Sequence, residues 1–337
     1  MLYLTTRNTS DAYTAHRALK SDLGPDGGSF VPFRIPVFSD EQLFQLKEKT
    51  FNEIVAELIN SFFSLHLSGW DLDFGVGRNL VRTVPMNHRI VVAELWHNLG
   101  GDFAYIEDSL CKKIAAEAGV QNTADWPKLA IKIAVIFGIY GQLLHDSLLN
   151  INEPLDFSVT NDDFHTPIAI LYCKKMGLPV NMVICTCDEK HNLWDFINRG
   201  TLNTADLNRK TQVNLERLLH LTVGCDSTVA FSTACQNRSS YSVGEDVLPN
   251  INGNLFCSVA GKDRSQAVIN SLYRTNSYVA DVESALCYGG LQDYRAKIGN
   301  SQLTVILAEK TPARCLTEIS AATGLLPESI MDIINQA

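Results

Sequence analysis

The chain has 337 residues, 46% of them hydrophobic and 19% charged, and its 37 acidic and 28 basic side chains give a net charge of -9. This composition predicts a globular protein with a sizeable core, and the acidic balance argues against nucleic acid as a partner. No apolar run approaches the roughly 18 residues of a membrane span, and the residues after Met1 lack the layout of a signal peptide. We therefore expect a cytoplasmic protein without a membrane partner.

The first part of the chain is predicted to hold short elements separated by turns. In chain order these are a strand at 2–5, a helix from Ser10 or Asp11, a turn-rich loop at 23–32, a helix from Ser39 and a helix over 51–67. Asp11 and Ser39 are suitable helix caps, and the glycines of the loop permit positive φ angles. We interpret this region as loops and packing helices.

The pattern then changes to alternating strands and helices. A strand at 155–159, a helix at 167–176 closed by Gly177 and a continuous apolar strand at 180–186 form a β-α-β unit, which implies a parallel sheet. The other predicted elements are strands at 89–96 and 304–307 and helices at 102–118, 125–144, 213–221, 265–273, from Pro312 and from Pro327. The predicted fold class is α/β, a mostly parallel sheet with flanking helices.

Domain organisation and loops are less strongly marked in the sequence. Residues 1–85 are interpreted as an N-terminal region of helices and strands and residues 86–337 as a large α/β lobe, and the two are also compatible with one continuous domain. Residues 227–254 are rich in Ser, Asn and Gly, so we interpret them as a surface excursion that is able to carry a partner site.

The nine cysteines are an odd number and lie mostly in apolar runs, which predicts buried reduced thiols. Cys185 and Cys187 alternate with apolar neighbours and share one face of a strand. They have no partner pair at zinc spacing, so we expect no metal site.

Several segments resemble the bacterial threonine synthase family, and they keep the family's order. Residues 24–32 read GPDGGSFVP, similar to the family's APDGGLYVP, and residues 174–179 read KKMGLP, as the family does. Weaker similarities are ELWH at 94–97, DWPKL at 125–129 and NLERLL at 214–219. The resemblance implies the fold of the type II PLP enzymes, which is like that of the tryptophan synthase β chain.

The segment that should carry the PLP lysine departs from the family pattern. In the family the histidine is followed by GPTxAFKD, whose lysine forms the Schiff base with PLP. Here His97 is followed by NLGGDFAYIED, which puts Ala104 at the lysine position, or Glu107 when the motif's aspartate is matched to Asp108. Lys112 and Lys113, a turn or more further along the same helix, are the only nearby amines, and we interpret them as a solvated helix face.

Two further departures affect the lid and the phosphate site. Residues 118–123 join two helices directly, where the family has a small lobe with its SGDTG loop, so we expect the small lobe to be missing. The family's glycine-rich phosphate turn appears as VTNDDFH at 159–165, where carboxylates would repel phosphate. Glu309 and the segment 281–285 likewise differ from the residues that the family has at the corresponding positions near the cofactor.

If the fold is retained, polar residues converge near the former cofactor cleft. The candidate cleft residues are His97, Asp102, Glu107, Thr160, Asn161, Asp162, Asp163, His165 and Glu309. Carboxylates and imidazoles in one cleft are suited to binding a cation or to acid/base work. A simpler interpretation is that several of them cap helices, Asp102 and Asp162 or Asp163 above all.

These departures predict a threonine synthase-like protein without PLP catalysis, a pseudoenzyme that binds a metabolite or a protein partner in a regulatory role. We expect no catalytic residues of the family type and no cofactor. One alternative is an active PLP-dependent lyase acting on O-phosphohomoserine, and another is a cofactor-independent enzyme that uses the carboxylate and histidine cluster. The resemblance leaves both a monomer and a homodimer open.

Overall fold

The computed structural model describes residues 1–72, 81–160, 163–187, 189, 192–299 and 301–336. Its strands are β1 (Leu2–Thr5), β2 (Tyr13–Thr14), β3 (Phe30–Pro32), β4 (Arg82–Met86), β5 (Ile90–Glu94), β6 (Leu155–Thr160), β7 (Val180–Cys187), β8 (Thr201–Asn203), β9 (Ser240–Ser242), β10 (Leu255–Val259) and β11 (Leu303–Ala308). Its helices are α1 (Ala15–Lys20), α2 (Asp40–Gln45), α3 (Phe51–Phe63), α4 (Phe103–Ala118), α5 (Asp125–His145), α6 (His165–Lys175), α7 (Asn192–Arg199), α8 (Arg209–Thr222), α9 (Cys225–Gln236), α10 (Leu248–Asn252), α11 (Lys262–Asn276), α12 (Val282–Ile298), α13 (Leu316–Thr323) and α14 (Pro327–Gln336).

The central sheet has six strands in the order β10-β7-β6-β11-β5-β4. All neighbouring pairs are parallel except β4 and β5, which are antiparallel. The prediction of an α/β fold with a mostly parallel sheet is therefore confirmed. Because parallel strands end at the same edge of a sheet, the ends of β5, β6 and β11 lie side by side.

Both faces of the sheet are covered, as expected for strands that are apolar throughout. Alternate residues of one strand enter different cores: Val305 belongs to the larger hydrophobic cluster and Ile306 to the smaller one. The larger cluster is built with α3, α5 and α6, and the smaller with α11, α12 and α13. The two-residue period of a strand thus distributes its side chains between two helical layers.

The long apolar helix α5 is the core helix of the larger cluster. By length and composition it is the one helix among the described residues that could cross a membrane, and 89% of its most apolar window is buried inside the protein. Its burial is that of a core helix in a globular protein.

The helix α4 begins and ends where the sequence predicts. The Asp102 side chain accepts a hydrogen bond from the Tyr105 amide (2.9 Å), and Gly119 ends the helix in the left-handed conformation at φ 64°. The sequence-predicted β-α-β unit is β6, α6 and β7.

Two element predictions are wrong. The first helix begins at Ala15 rather than at Ser10 or Asp11, because Tyr13 pairs with Tyr3 in a strand and Thr14 caps the helix. The supposed surface excursion at 227–254 contains most of α9, all of β9 and all of α10. Buried apolar side chains, such as that of Phe231, hold this segment in regular structure.

Candidate functional site

The loop that follows β5 is tied by backbone hydrogen bonds to the segment that follows β11. The Leu95 amide donates to the Ala308 carbonyl (2.8 Å), the Phe103 amide to the Glu309 carbonyl (2.8 Å) and the Thr311 amide to the Gly101 carbonyl (3.0 Å). These bonds place the first turn of α4 against the end of β11. The helices α4 and α5 are joined by residues 119–124 alone.

The two candidate positions for the missing lysine face different ways. Ala104, in the first turn of α4, is exposed, whereas Glu107, one turn later, is largely buried with 15% of its side chain exposed. Glu107 therefore faces the protein interior at the strand ends. We call Glu107, Lys132, His165, Thr166 and Glu309 the strand-end cluster.

Lys132 brings an amine into this cluster from the middle of α5. Its residue is 2% exposed, its Nζ lies 2.7 Å from Glu309 Oε1, and the same Nζ stands 3.7 Å from the centre of the Phe103 ring. The statement that Lys112 and Lys113 are the only nearby amines is therefore wrong. Lys112 and Lys113 belong to α4, whereas the Lys132 amine comes from α5, which packs against α4 and α6.

Glu309 is held on two sides. Besides the ion pair with Lys132, its Oε1 accepts a hydrogen bond from the Thr166 hydroxyl at 3.1 Å. The carboxylate that ends β11 is thus fixed by α5 and α6 together.

Glu107 and His165 approach each other without a hydrogen bond. His165 Nδ1 lies 3.8 Å from Glu107 Oε1, which is too far for a direct hydrogen bond. Among the described residues, Glu107 Oε1 and His165 Nε2 are buried and have no hydrogen-bond partner. Each side chain therefore keeps an unsatisfied polar atom inside the cluster.

Burial moves the pKa values of this pair in opposite directions. Desolvation raises the pKa of Glu107 to about 7; the ammonium of Lys132 opposes this change, and the carboxylates of Glu309 and Asp163 reinforce it. Desolvation lowers the pKa of His165 to about 3, and the charge of Lys132 lowers it further. At neutral pH the imidazole is therefore uncharged, and the carboxyl group holds a proton far more readily than an exposed glutamate does.

The remaining candidates at the strand ends act mainly at helix starts. Asp163 Oδ1 accepts a hydrogen bond from the His165 amide at 3.0 Å, and Asp102 caps α4 while its other oxygen pairs with Arg314. Thr160 ends β6. Asn161 and Asp162 lie outside the described residues.

His97 belongs to a different group. Its Nε2 lies 2.7 Å from Glu94 Oε2, and its ring stacks on that of Trp96 with centroids 3.8 Å apart. Its hydrogen-bond partner is therefore at the β4–β5 edge of the sheet and is not a member of the strand-end cluster. Among the residues that the structure describes, no three His, Cys, Asp or Glu side chains are grouped to hold a metal ion.

Comparisons with known proteins agree with the fold and with the N-terminal motifs. Residues 2–76 match the family model described as the threonine synthase N terminus. Threonine synthase-like 1 proteins from Pongo abelii and Homo sapiens are each 22% identical over 177 residues, 49% of this chain. The matched part spans 24% of the length of these curated relatives.

Solved threonine synthases share the fold along almost the whole chain. The PLP-bound enzyme from Brucella melitensis has a TM-score of 0.82 at 18% identity and covers 99% of this chain and 94% of its own. The yeast enzyme has a TM-score of 0.75 at 14% identity, with the same coverage. The chain is therefore threonine synthase-like, with a matching N-terminal region at residues 2–76 and the threonine synthase fold.

Proposed function

We propose that this threonine synthase-like chain does not run PLP chemistry and that it acts by binding a metabolite or a protein partner in a regulatory role. The observation that carries the proposal is which side chains form the strand-end cluster and how they are paired. Neither candidate position for the family's lysine, the exposed Ala104 or the inward-facing Glu107, carries an amine, and the buried amine of Lys132 is engaged by Glu309 at 2.7 Å.

The residues present do not fit PLP. A Schiff base forms through a neutral amine with a free lone pair, whereas the Lys132 amine is held between a carboxylate and the Phe103 ring. A phosphate group needs free amides at a helix start, whereas the His165 amide already donates to Asp163. The Asp163 carboxylate would also repel the phosphate.

The test is to add PLP, reduce with borohydride and map the modified lysines by mass spectrometry. We expect no visible aldimine band and no adduct at Lys132 above the level of exposed lysines. Lys132→Met is the specific control, and Lys128→Met is its match on the same helix, because Lys128 is more exposed and pairs with Asp108. An aldimine band that Lys132→Met abolishes and Lys128→Met leaves would overturn the proposal.

The same samples test the lyase alternative directly. With PLP and O-phosphohomoserine present, an active threonine synthase-like lyase releases inorganic phosphate, and we expect none above the rate without protein. Phosphate release that depends on PLP would contradict the pseudoenzyme proposal.

A second candidate function is cofactor-independent acid/base chemistry, which the Glu107 and His165 pair favours. Glu107 Oε1 and His165 Nε2 are buried without a hydrogen-bond partner among the described residues, and burial raises the pKa of Glu107 to about 7, the range in which a general acid or base is most effective at neutral pH. In a screen of amino acids and their phosphorylated derivatives, His165→Asn would abolish any turnover at an unchanged melting temperature. Equal turnover by that variant would exclude the pair as the catalyst.

A cytoplasmic location is part of the proposal. It is supported by the nine cysteines, all of which are free thiols and most of which are buried. Fractionation of cells that express the tagged chain tests it, with recovery in the soluble cytoplasmic fraction as the expected result.

A further inference from the structure

A pocket of about 290 Å³ opens at the β4–β5 edge of the sheet. It lies between that edge, the segment after α11 and the last helix, α14, and none of the five residues of the strand-end cluster lines it. Val84, Val279 and Ile334 form an apolar wall, and Arg82, Glu94 and Trp96 add polar groups. We call it the edge pocket.

Glu94 is a buried carboxylate in this pocket. Its side chain is 2% exposed, and its Oε2 lies 2.7 Å from His97 Nε2 and 3.4 Å from Arg82 Nη1. The Tyr278 hydroxyl also hydrogen-bonds to Glu94, and burial raises the pKa of Tyr278 well above its usual value, so it stays a neutral donor. A buried charge of this kind is retained only with such partners.

Two donors in the edge pocket are not fully used. Trp96 is 7% exposed, and its indole nitrogen has no hydrogen-bond partner among the described residues. Arg82 makes one long contact to Glu94 and keeps 43% of its side chain exposed. An indole N–H is a donor only, and leaving it buried and unpaired is energetically unfavourable. The Trp96 indole therefore lacks an acceptor within the described part of the chain, and the Arg82 guanidinium has donors left for an acceptor from outside the chain.

We propose that the edge pocket binds a free aliphatic α-amino acid. The ligand carboxylate accepts from Arg82 and from the Trp96 indole, its ammonium faces Glu94, and its side chain packs on the apolar wall. A carboxylate alone would be repelled by Glu94, and an amine alone would leave Trp96 unsatisfied, so the zwitterion matches the pocket best. The volume lies at the small end of ligand pockets, about 300 Å³, which suits an amino acid.

The experiment measures binding of L-leucine, L-valine and L-isoleucine to the full chain by calorimetry and by thermal shift. A ligand that binds only the native state raises the melting temperature, and the stabilisation grows with the logarithm of the ligand concentration once that concentration exceeds the dissociation constant. Testing up to about 10 mM covers dissociation constants in the millimolar range. We expect saturable binding of at least one of the three, and at least tenfold weaker binding of 4-methylpentanoate, which lacks the ammonium, and of isoamylamine, which lacks the carboxylate.

Variants then assign the site. Trp96→Phe keeps an aromatic ring and removes the N–H, and Arg82→Gln removes the charge; each should weaken binding at least tenfold. Trp70→Phe and Arg34→Gln are the matched controls, because both residues are exposed and neither lines the pocket, and they should bind as the parent does. If Arg82→Gln fails to fold, the conservative Trp96→Phe variant still tests whether the ligand binds in the edge pocket.

Two results would overturn the proposal. One is the absence of binding by all three amino acids in the parent protein. The other is binding that Trp96→Phe and Arg82→Gln leave unchanged, which would place the ligand elsewhere. Either result leaves the proposal about PLP untouched, because the edge pocket and the strand-end cluster share no lining residue.

Discussion

Glu107 and His165 make opposite contributions to stability as pH changes. The pKa of Glu107 is raised in the fold from 4.5 to about 7, so its contribution is fully present below about pH 4.5 and is lost as pH rises through 7. The pKa of His165 is lowered from 6.5 to about 3, so its contribution is present above about pH 6.5 and is lost as pH falls through 3. Between pH 4.5 and 6.5 the two largely offset each other.

Replacing Glu107 with Gln should expose this balance. The variant keeps a polar group of similar size that does not titrate. As the pH rises from about 4 to about 8, the free energy of unfolding of the variant minus that of the parent should increase by about 3 kcal/mol, because each tenfold change in proton affinity is worth about 1.4 kcal/mol. Urea unfolding at several pH values measures the difference. Glu117→Gln, on the exposed side of the same helix, should show no such trend. A flat difference for Glu107→Gln would refute the pH argument.

The residues of the strand-end cluster could be named from sequence only in part. Glu107, His165 and Glu309 came from positions in family motifs, and the structure brings them close to one another through Lys132 and Thr166. Lys132 was missed because it belongs to no motif. A signal did exist: Lys132 is the only charged residue between Lys128 and His145 in a helix that is otherwise apolar. A lysine without a route to solvent requires an acceptor or an acidic partner within the protein, and that partner is Glu309.

At the scale of elements, sequence patterns worked where periodicity or caps were strong and failed where packing decides. The long helix α12 was not predicted, because its glycine pair at 289–290 weakens helix propensity. The polar composition of residues 227–254 predicts a surface excursion, although Phe231, Tyr241 and Ile251 are buried and anchor the segment. In both cases contacts from distant parts of the chain outweigh the local preference.

The close approach of α12 to β7 explains why residue 290 is a glycine. A Cβ atom at this position would lie 1.9 Å from the Oγ1 atom of Thr186, a buried residue of β7, so the helix approaches the strand too closely for a side chain. Gly290→Ala should therefore lower the free energy of unfolding by about 1–3 kcal/mol, the usual cost of overpacking, although alanine favours helices. Denaturant unfolding measures the change.

Gly289→Ala is the matched control for this substitution. Its Cβ would first meet Ala260 Cβ at 3.2 Å, which a small shift relieves, so the loss should be clearly smaller. If Gly290→Ala were as stable as the parent, the close contact between α12 and β7 would not be what requires the glycine.

On the scale of the whole molecule, the N-terminal region is joined to the large lobe through buried polar contacts. The Tyr3 hydroxyl, which donates to the Phe62 carbonyl within the N-terminal region (2.8 Å), accepts from the Trp126 indole of the large lobe (3.1 Å). Arg7 makes two hydrogen bonds of 2.9 Å to Glu216, whose residue is 4% exposed. Tyr3 and Trp126 also belong to one hydrophobic cluster. These contacts favour one continuous domain over two units divided at residue 85, and the division itself stays a prediction.

The fragment 86–337 should therefore fail to fold alone. Without residues 1–85, Trp126 and the side of α5 that packs on α3 become exposed to solvent. The buried Glu216 also loses Arg7, the partner that offsets its charge. We expect a fragment that binds hydrophobic dyes and lacks a cooperative thermal transition, while the full chain unfolds in one transition. Adding residues 1–85 as a separate chain is the control. Restored cooperativity would show that the fragment fails to fold because it lacks the contacts with residues 1–85, rather than because the chain is broken. A fragment that unfolds cooperatively as a monomer would establish two domains.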